Sequence, residues 1–106
     1  MECFIGNTTV YYEEYGQGTP ILCLHGFPED HSVMVGCIEP ICNELNGYRR
    51  IYLDLPGMGN SPATDTIKNA DDMLSLLKQF IHTVIGNESF LLVGLSYGGY
   101  LALGLT

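Results

Sequence analysis

Phe90-Leu91-Leu92-Val93-Gly94-Leu95-Ser96-Tyr97-Gly98-Gly99 is the stretch whose reading decides the fold. Its first four residues form a short, unbroken apolar run, the pattern of a strand buried on both faces of a parallel sheet. The run passes directly into Gly94-x-Ser96-x-Gly98, and an apolar, helix-like tail follows from Tyr100 to Leu105. A strand that turns into a helix through G-x-S-x-G holds its serine in a sharp, strained turn with the hydroxyl raised above the sheet. Side chains two residues before and after would collide with the turn and the adjoining strands, so glycine is required at 94 and 98. The helix starting after Ser96 brings a positive dipole end to the place where an oxyanion would form. In this context Ser96 reads as a nucleophile. Without the flanking strand and helix the same pattern would be a glycine-rich turn with an idle serine.

Working toward the N-terminus, the clearest helix precedes this strand. Asn69 caps it, Asp71 and Asp72 sit in its first turn, and Gly86-Asn87 stops it. Ala70, Met73, Leu74, Leu77, Phe80, Ile81, Val84 and Ile85 form its apolar stripe. Before it, Asp54 to Pro62 is a loop rich in glycine and proline, preceded by the strand candidate Arg50-Ile51-Tyr52-Leu53. A further helix is expected from Asp30 to Leu45, with Asp30 capping its first turn and Val33, Cys37, Ile38, Ile41, Cys42 and Leu45 at helical spacing. Pro40 is expected to kink or break it, and Asn46-Gly47 to end it. Ile21-Leu22-Cys23-Leu24 is another buried strand, and Gly16 to Pro20 a loop before it. At the start, Cys3-Phe4-Ile5 and Thr9-Val10-Tyr11-Tyr12 flank Gly6-Asn7 and predict a β-hairpin. The order is therefore hairpin, β, α, β, α, β, α: an α/β fold with a mostly parallel sheet and helices on both faces.

In such sheets reactive groups gather at the carboxyl ends of the strands. Three strand ends carry unusual residues here: His25-Gly26, Asp54 and Ser96. An oxyanion hole needs two N–H donors, one from Tyr97 and one from the loop after the Ile21–Leu24 strand. Gly26 lets that loop turn toward the site, and the Phe27 amide is the natural second donor. Pro28 restricts Phe27 to an extended conformation, and its peptide bond is a candidate for the cis form. The His25 side chain reads either as a catalytic base or as a group that fixes the loop by bonding nearby backbone. The second reading is preferred, because in this arrangement the catalytic histidine follows the serine. Asp54 reads either as a triad acid or as a cap for the loop from Leu55 to Asn60, and the cap is preferred for the same reason of chain order. His31 and His82 show no partner pattern and read as ordinary surface residues. There is no G-x-G-x-x-G dinucleotide loop, no phosphate loop and no metal-ligand spacing, so neither a metal nor any other cofactor is expected.

The chain has 106 residues, of which 46% are hydrophobic and 15% charged, a globular composition sufficient for one core. Four Lys+Arg stand against twelve Asp+Glu, a formal charge of −8, which repels nucleic acid and anionic membrane surfaces. No apolar run approaches the roughly 20 residues of a membrane span, and the acidic N-terminus does not read as a secretory signal. Cysteines at 3, 23, 37 and 42 form no CxxC pair and read as reduced thiols in a core or helix, which fits a cytoplasmic setting.

Three stretches together resemble the α/β-hydrolase superfamily. Tyr15 to Pro28, ending in Leu-His-Gly-Phe-Pro, looks like its third strand and oxyanion loop. Asp54-Leu-Pro-Gly-Met-Gly-Asn-Ser61 resembles its D-x-x-G-x-G-x-S segment, and Gly94 to Gly99 its nucleophile elbow. The resemblance implies strand order 1-2-4-3-5, Ser96 as nucleophile, and the Phe27 and Tyr97 amides as oxyanion hole. His25, Gly26, Gly94, Gly98 and Asp54 support them. Serine at the elbow argues against the dehalogenase and epoxide-hydrolase branches, which place Asp there, and His-Gly-Phe-Pro departs from the His-Gly-Gly pattern of lipases. The implied substrate is a small ester, thioester or cleavable carbon–carbon bond. Family members continue past the nucleophile helix through three further strands that carry the acid, the histidine and usually a cap. The sequence ends at Thr106, so residues 1–106 are expected to be the N-terminal part of such a domain, inactive alone. An exposed apolar sheet edge beside Phe90–Val93 would then invite self-association or a second chain. The alternative is a non-catalytic binding or assembly module, or a half-enzyme completed by another chain.

Overall fold

The computed structural model describes residues 1–42 and 46–106. Its elements, in chain order, are β1 (Glu2–Ile5), β2 (Thr8–Tyr15), β3 (Thr19–Leu24), α1 (His31–Cys42), β4 (Tyr48–Leu53), α2 (Ala70–Val84), β5 (Leu91–Gly94) and α3 (Tyr97–Leu105). The strands form one five-stranded sheet in the order β1-β2-β4-β3-β5, the order the family resemblance implies. β1 and β2 make the expected antiparallel hairpin, with Ile5 opposite Thr8 across Gly6-Asn7. Gly6 takes the positive φ (58°) at the first turn position, as a II′ hairpin turn requires. β2 pairs antiparallel with β4, while β4, β3 and β5 run parallel.

Alternation along the central strands supplies two cores. Leu22, Leu24, Ile51 and Leu53 face α2 and α3, packing with Met73, Leu76, Leu77, Phe80 and Leu101. Ile21, Cys23 and Tyr52 face the other way, against Met34 and Cys42 of α1. The sheet is thus covered on both faces, as expected of a parallel α/β sheet. Cys3, Cys23 and Cys42 are buried, Cys37 is exposed, and all four are free thiols.

Two expectations for α1 need correction. The helix continues through Pro40 to Cys42 and is not broken there. Gly36 and Pro40 are both exposed, so the carbonyl left without its ladder partner is open to water. The buried stripe is Met34, Ile38 and Cys42 with Val35 beside it, and Cys37 and Ile41 face outward. The phase is set by Glu39, which turns to the sheet: its carboxylate takes Arg50 Nε at 2.9 Å and Nη2 at 2.7 Å, and the Tyr52 hydroxyl besides. Leu45, the expected end of this helix, lies outside the described residues. The ion pairs Arg50–Glu39 and Arg49–Glu14 also explain why β4 begins at Tyr48, ahead of its apolar run.

α2 starts where the sequence places it. The Asn69 side chain accepts the Asp72 N–H at 2.9 Å, filling one of the four unpaired donors of the first turn. Asn69→Ala is expected to lower stability by about 1 kcal/mol, read as a shift in the urea midpoint with an unchanged slope.

Candidate active site

The carboxyl ends of β3, β4 and β5 lie side by side, and each leads into one of the residues singled out in the sequence: His25, Asp54 and Ser96. Ser96 occupies the turn between β5 and α3 with φ 57° and ψ −116°. It is the one non-glycine residue with positive φ among the described residues. Such a conformation costs of order 1–3 kcal/mol and persists only where its surroundings enforce it. The surroundings here are backbone. A Cβ at Gly98 would lie 2.1 Å from the Leu24 carbonyl oxygen, and one at Gly94 would lie 2.4 Å from the Gly98 carbonyl oxygen. The Leu95 N–H donates to Leu24 O at 3.1 Å, and the Gly98 N–H to Leu95 O at 2.9 Å, fastening the turn to the end of β3. Ser96 stands at the N-cap of α3, yet its hydroxyl makes no capping bond, and the residue is exposed. A serine that forgoes the bond its position offers presents its Oγ to solvent.

The loop after β3 comes up against this turn. A Cβ on Gly26 would sit 3.2 Å from both the Leu95 carbonyl oxygen and the Ser96 Cβ, so only bare backbone passes so close. The loop is closed by the Glu29 N–H on Gly26 O at 3.0 Å, and the Phe27–Pro28 bond is cis. Among the described residues, neither the Phe27 nor the Tyr97 amide donates to another part of the chain. Tyr97 opens α3, where N–H groups are unpaired by construction. Phe27 and Tyr97 also border an open cavity of about 530 Å³ with Pro56, Met58, Ile67 and Met73, a size suited to a small molecule.

The hydrogen bonds of His25 and Asp54 among the described residues go to the loops and to His31, and none goes to Ser96. The buried His25 donates from Nδ1 to Gly26 O at 2.7 Å and accepts the Leu55 N–H on Nε2 at 3.0 Å, so the ring carries its proton on Nδ1 and staples two loops. Asp54, fully buried, accepts the Asn60 N–H on Oδ2 at 2.9 Å. Its Oδ1 accepts the His31 N–H at 2.7 Å and faces His31 Nδ1 at 2.8 Å. His31 is therefore no ordinary surface residue: its Nε2 also meets Glu13 Oε2 at 3.1 Å. His82, by contrast, is exposed in the last turn of α2. Ser61, the last residue of the D-x-x-G-x-G-x-S segment, is buried, donating to Asp54 O at 2.6 Å and accepting the Tyr11 N–H at 2.9 Å.

No metal-ligand spacing was legible in the sequence, but the fold brings donor atoms of Asp30, His31 and Asp54 within 4.8 Å of one another. These atoms are already engaged: Asp30 caps α1 through the Ser32 N–H at 2.9 Å, and both Asp54 oxygens accept N–H groups. The grouping is a hydrogen-bonded network in its own right.

The family model for the alpha/beta hydrolase fold matches residues 19–106, which begin at β3 and include every strand end described above. The chain belongs to the α/β-hydrolase family. This hydrolase-fold chain is 40% identical to an alpha/beta superfamily hydrolase from Oenococcus oeni of known crystal structure. That likeness has a TM-score of 0.84 and covers 99% of this chain and 38% of the other. It is 35% identical to the AB hydrolase superfamily protein YisY of Bacillus subtilis, covering 92% of this chain and 35% of that protein. It is 36% identical to the pimeloyl-(acyl-carrier protein) methyl ester esterase of Aeromonas salmonicida, covering 89% and 34% respectively. The hydrolase-fold chain thus spans about a third of the length of the curated relatives it matches. No helix among the described residues is long and apolar enough to cross a membrane.

Sequence reasoning missed His31 and Ser61. The signal for Ser61 was present, since its position in the D-x-x-G-x-G-x-S segment repeats a family pattern. His31 offered no local signal, because its two partners come from β2 and from the loop after β4.

Proposed function

We propose that this chain carries the nucleophile and the oxyanion hole of a serine hydrolase acting on a small ester-like substrate. The observation that supports this most is the Ser96 turn: a strained, exposed serine with no structural bond, set between a bare glycine loop and a helix N-terminus. The pimeloyl-(acyl-carrier protein) methyl ester esterase among the relatives favours an ester. In the proposed reaction Ser96 Oγ attacks the carbonyl carbon and its proton passes to a base. The carbonyl oxygen becomes an oxyanion held by the Phe27 and Tyr97 N–H groups. Collapse expels the alcohol with that proton and leaves an acyl-serine, which water then cleaves to acid and free serine. The base and its orienting acid are proposed to lie C-terminal to Ser96 in the protein, since His25 and His31 both have their ring nitrogens engaged elsewhere. Thioester or carbon–carbon cleavage would use the same groups.

A fluorophosphonate probe tests the assignment. It is expected to modify the protein at one residue, with the mass increment on the peptide containing Ser96. Modification of another serine, or none, would remove Ser96 from the role.

A further inference from the structure

His31 sits between two carboxylates. Nδ1 lies 2.8 Å from Asp54 Oδ1, and Nε2 lies 3.1 Å from Glu13 Oε2. Both carboxylates are surrounded by donors. Asp54 also receives the His31 and Asn60 backbone N–H groups at 2.7 and 2.9 Å. Glu13 receives the hydroxyls of Tyr11 and Tyr15, each at 2.6 Å. Both carboxylates can accept from the ring at once only if His31 donates from both nitrogens, which is the imidazolium form. The ring is desolvated on one side, with a 13% exposed side chain against an Asp54 side chain at 0%. Three segments meet on it: β2 through Glu13, the loop after β4 through Asp54, and the start of α1 through His31 itself. The last is the far end of the loop that carries Phe27.

We propose that His31, held as an imidazolium between Asp54 and Glu13, is a positioning residue that fixes the oxyanion loop, so that reaction at Ser96 falls away as His31 loses its proton. This inference rests on the reading of Ser96 given above. Deprotonation turns one ring nitrogen into a lone pair facing a carboxylate, replacing a charge-assisted hydrogen bond by repulsion. The loop that carries Phe27 then keeps the His25 staple, the Gly26–Glu29 turn and the His31 backbone N–H on Asp54, but loses the second ring contact that ties it to a carboxylate. The other groups facing His31 are Asp30 beside it and the Tyr11 ring, whose centroid is 5.4 Å from the imidazole. Burial pushes the imidazole down, but the Asp54 hydrogen bond and the fields of Asp54, Glu13 and Asp30 outweigh it and hold its pKa above the usual histidine value. The clamp is therefore complete below the ordinary histidine pKa and is lost as pH rises through the raised one. Glu13 is held ionised through that range, its carboxyl lowered by the Tyr11 and Tyr15 hydroxyls despite burial and by His31 as well.

The test joins two measurements on the protein. ¹⁵N spectra of the His31 ring across pH are expected to show both nitrogens protonated at neutral pH. The rate of fluorophosphonate reaction at Ser96 is expected to fall with the same midpoint. Glu13→Gln keeps an acceptor for the tyrosines but removes one charge, so both midpoints should move down together by roughly 1 pH unit. His31→Ala should slow the reaction about tenfold at neutral pH and erase the limb, a loss comparable to one weakened oxyanion contact. A His31 ring carrying a single proton at neutral pH would overturn the proposal, as would an alkaline limb that stays put in Glu13→Gln. Absence of any reaction at Ser96 at every pH, with the ring titrating as described, would instead remove the serine reading and the positioning role with it.

Discussion

Ser96→Ala is expected to lower kcat by about 10⁵- to 10⁶-fold while leaving the unfolding midpoint unchanged to within about 0.5 kcal/mol. The two halves of that result have separate causes. Ser96 Oγ makes no hydrogen bond among the described residues and the residue is exposed, so its removal leaves no buried group unpaired. Alanine keeps the Cβ and meets the same strain at φ 57°, so the turn is neither relieved nor further burdened. The proposed nucleophile, on the other hand, cannot be replaced by a methyl group, and the proposed oxyanion hole alone would sustain only residual catalysis. Substrate turnover and denaturant titration on the same preparation read both. Retained turnover would exclude Ser96 as nucleophile. A stability loss above about 1 kcal/mol would show that the hydroxyl has a structural role instead.

The opposite outcome is expected of Gly98→Ala. The added Cβ would lie 2.1 Å from Leu24 O and 2.6 Å from both Leu24 C and His25 O, all of them backbone of the neighbouring strand end. No side chain can swing aside, so β3 and α3 must separate, breaking the packing on Leu24 and Leu101. A loss of about 3 kcal/mol or more follows, at the upper end for overpacking. Gly36→Ala on α1 is the control. A Cβ added there would meet nothing within 4 Å, and the φ of Gly36 is ordinary. The change should therefore be neutral or stabilising by up to about 1 kcal/mol. Equal midpoints for the two variants would show that the approach at Gly98 is not as close as the structure gives it.

Much of this was legible in the sequence where a residue's demand is local. Gly94 and Gly98 are required by the backbone geometry of one turn, and Asn69 caps the helix that begins at the next residue. The apolar runs at Ile21–Leu24 and Phe90–Val93 need burial on both faces whatever their neighbours are. The strand order, by contrast, came from the family likeness. Strand spacing alone does not say that β3 lies between β4 and β5. His31 was illegible because its partners are distant in sequence, Asp54 by 23 positions, and Glu13 on an antiparallel strand. The phase of α1 was misread because Glu39 lies toward the sheet, and its reason for doing so, Arg50 and Tyr52, is on β4. Polar residues that satisfy one another across elements leave no periodic trace.

The placement of β3 has a kinetic consequence. The pairing of Leu24 with Gly94 brings together the two strand ends that lead into the Gly26–Phe27 loop and Ser96, yet α1, β4 and α2 all lie between them in the chain. The hairpin pairing of Ile5 with Thr8 closes over two residues. Closing a long loop before its contacts form is entropically slow, so local pairings form ahead of distant ones. In pulse-labelled hydrogen exchange, amides of β1 and β2 should gain protection before those of β5. Protection of β5 first would reverse that order. The strained turn at Ser96 is on this account a late event in folding, since it is fastened to the end of β3 only once β5 has paired there.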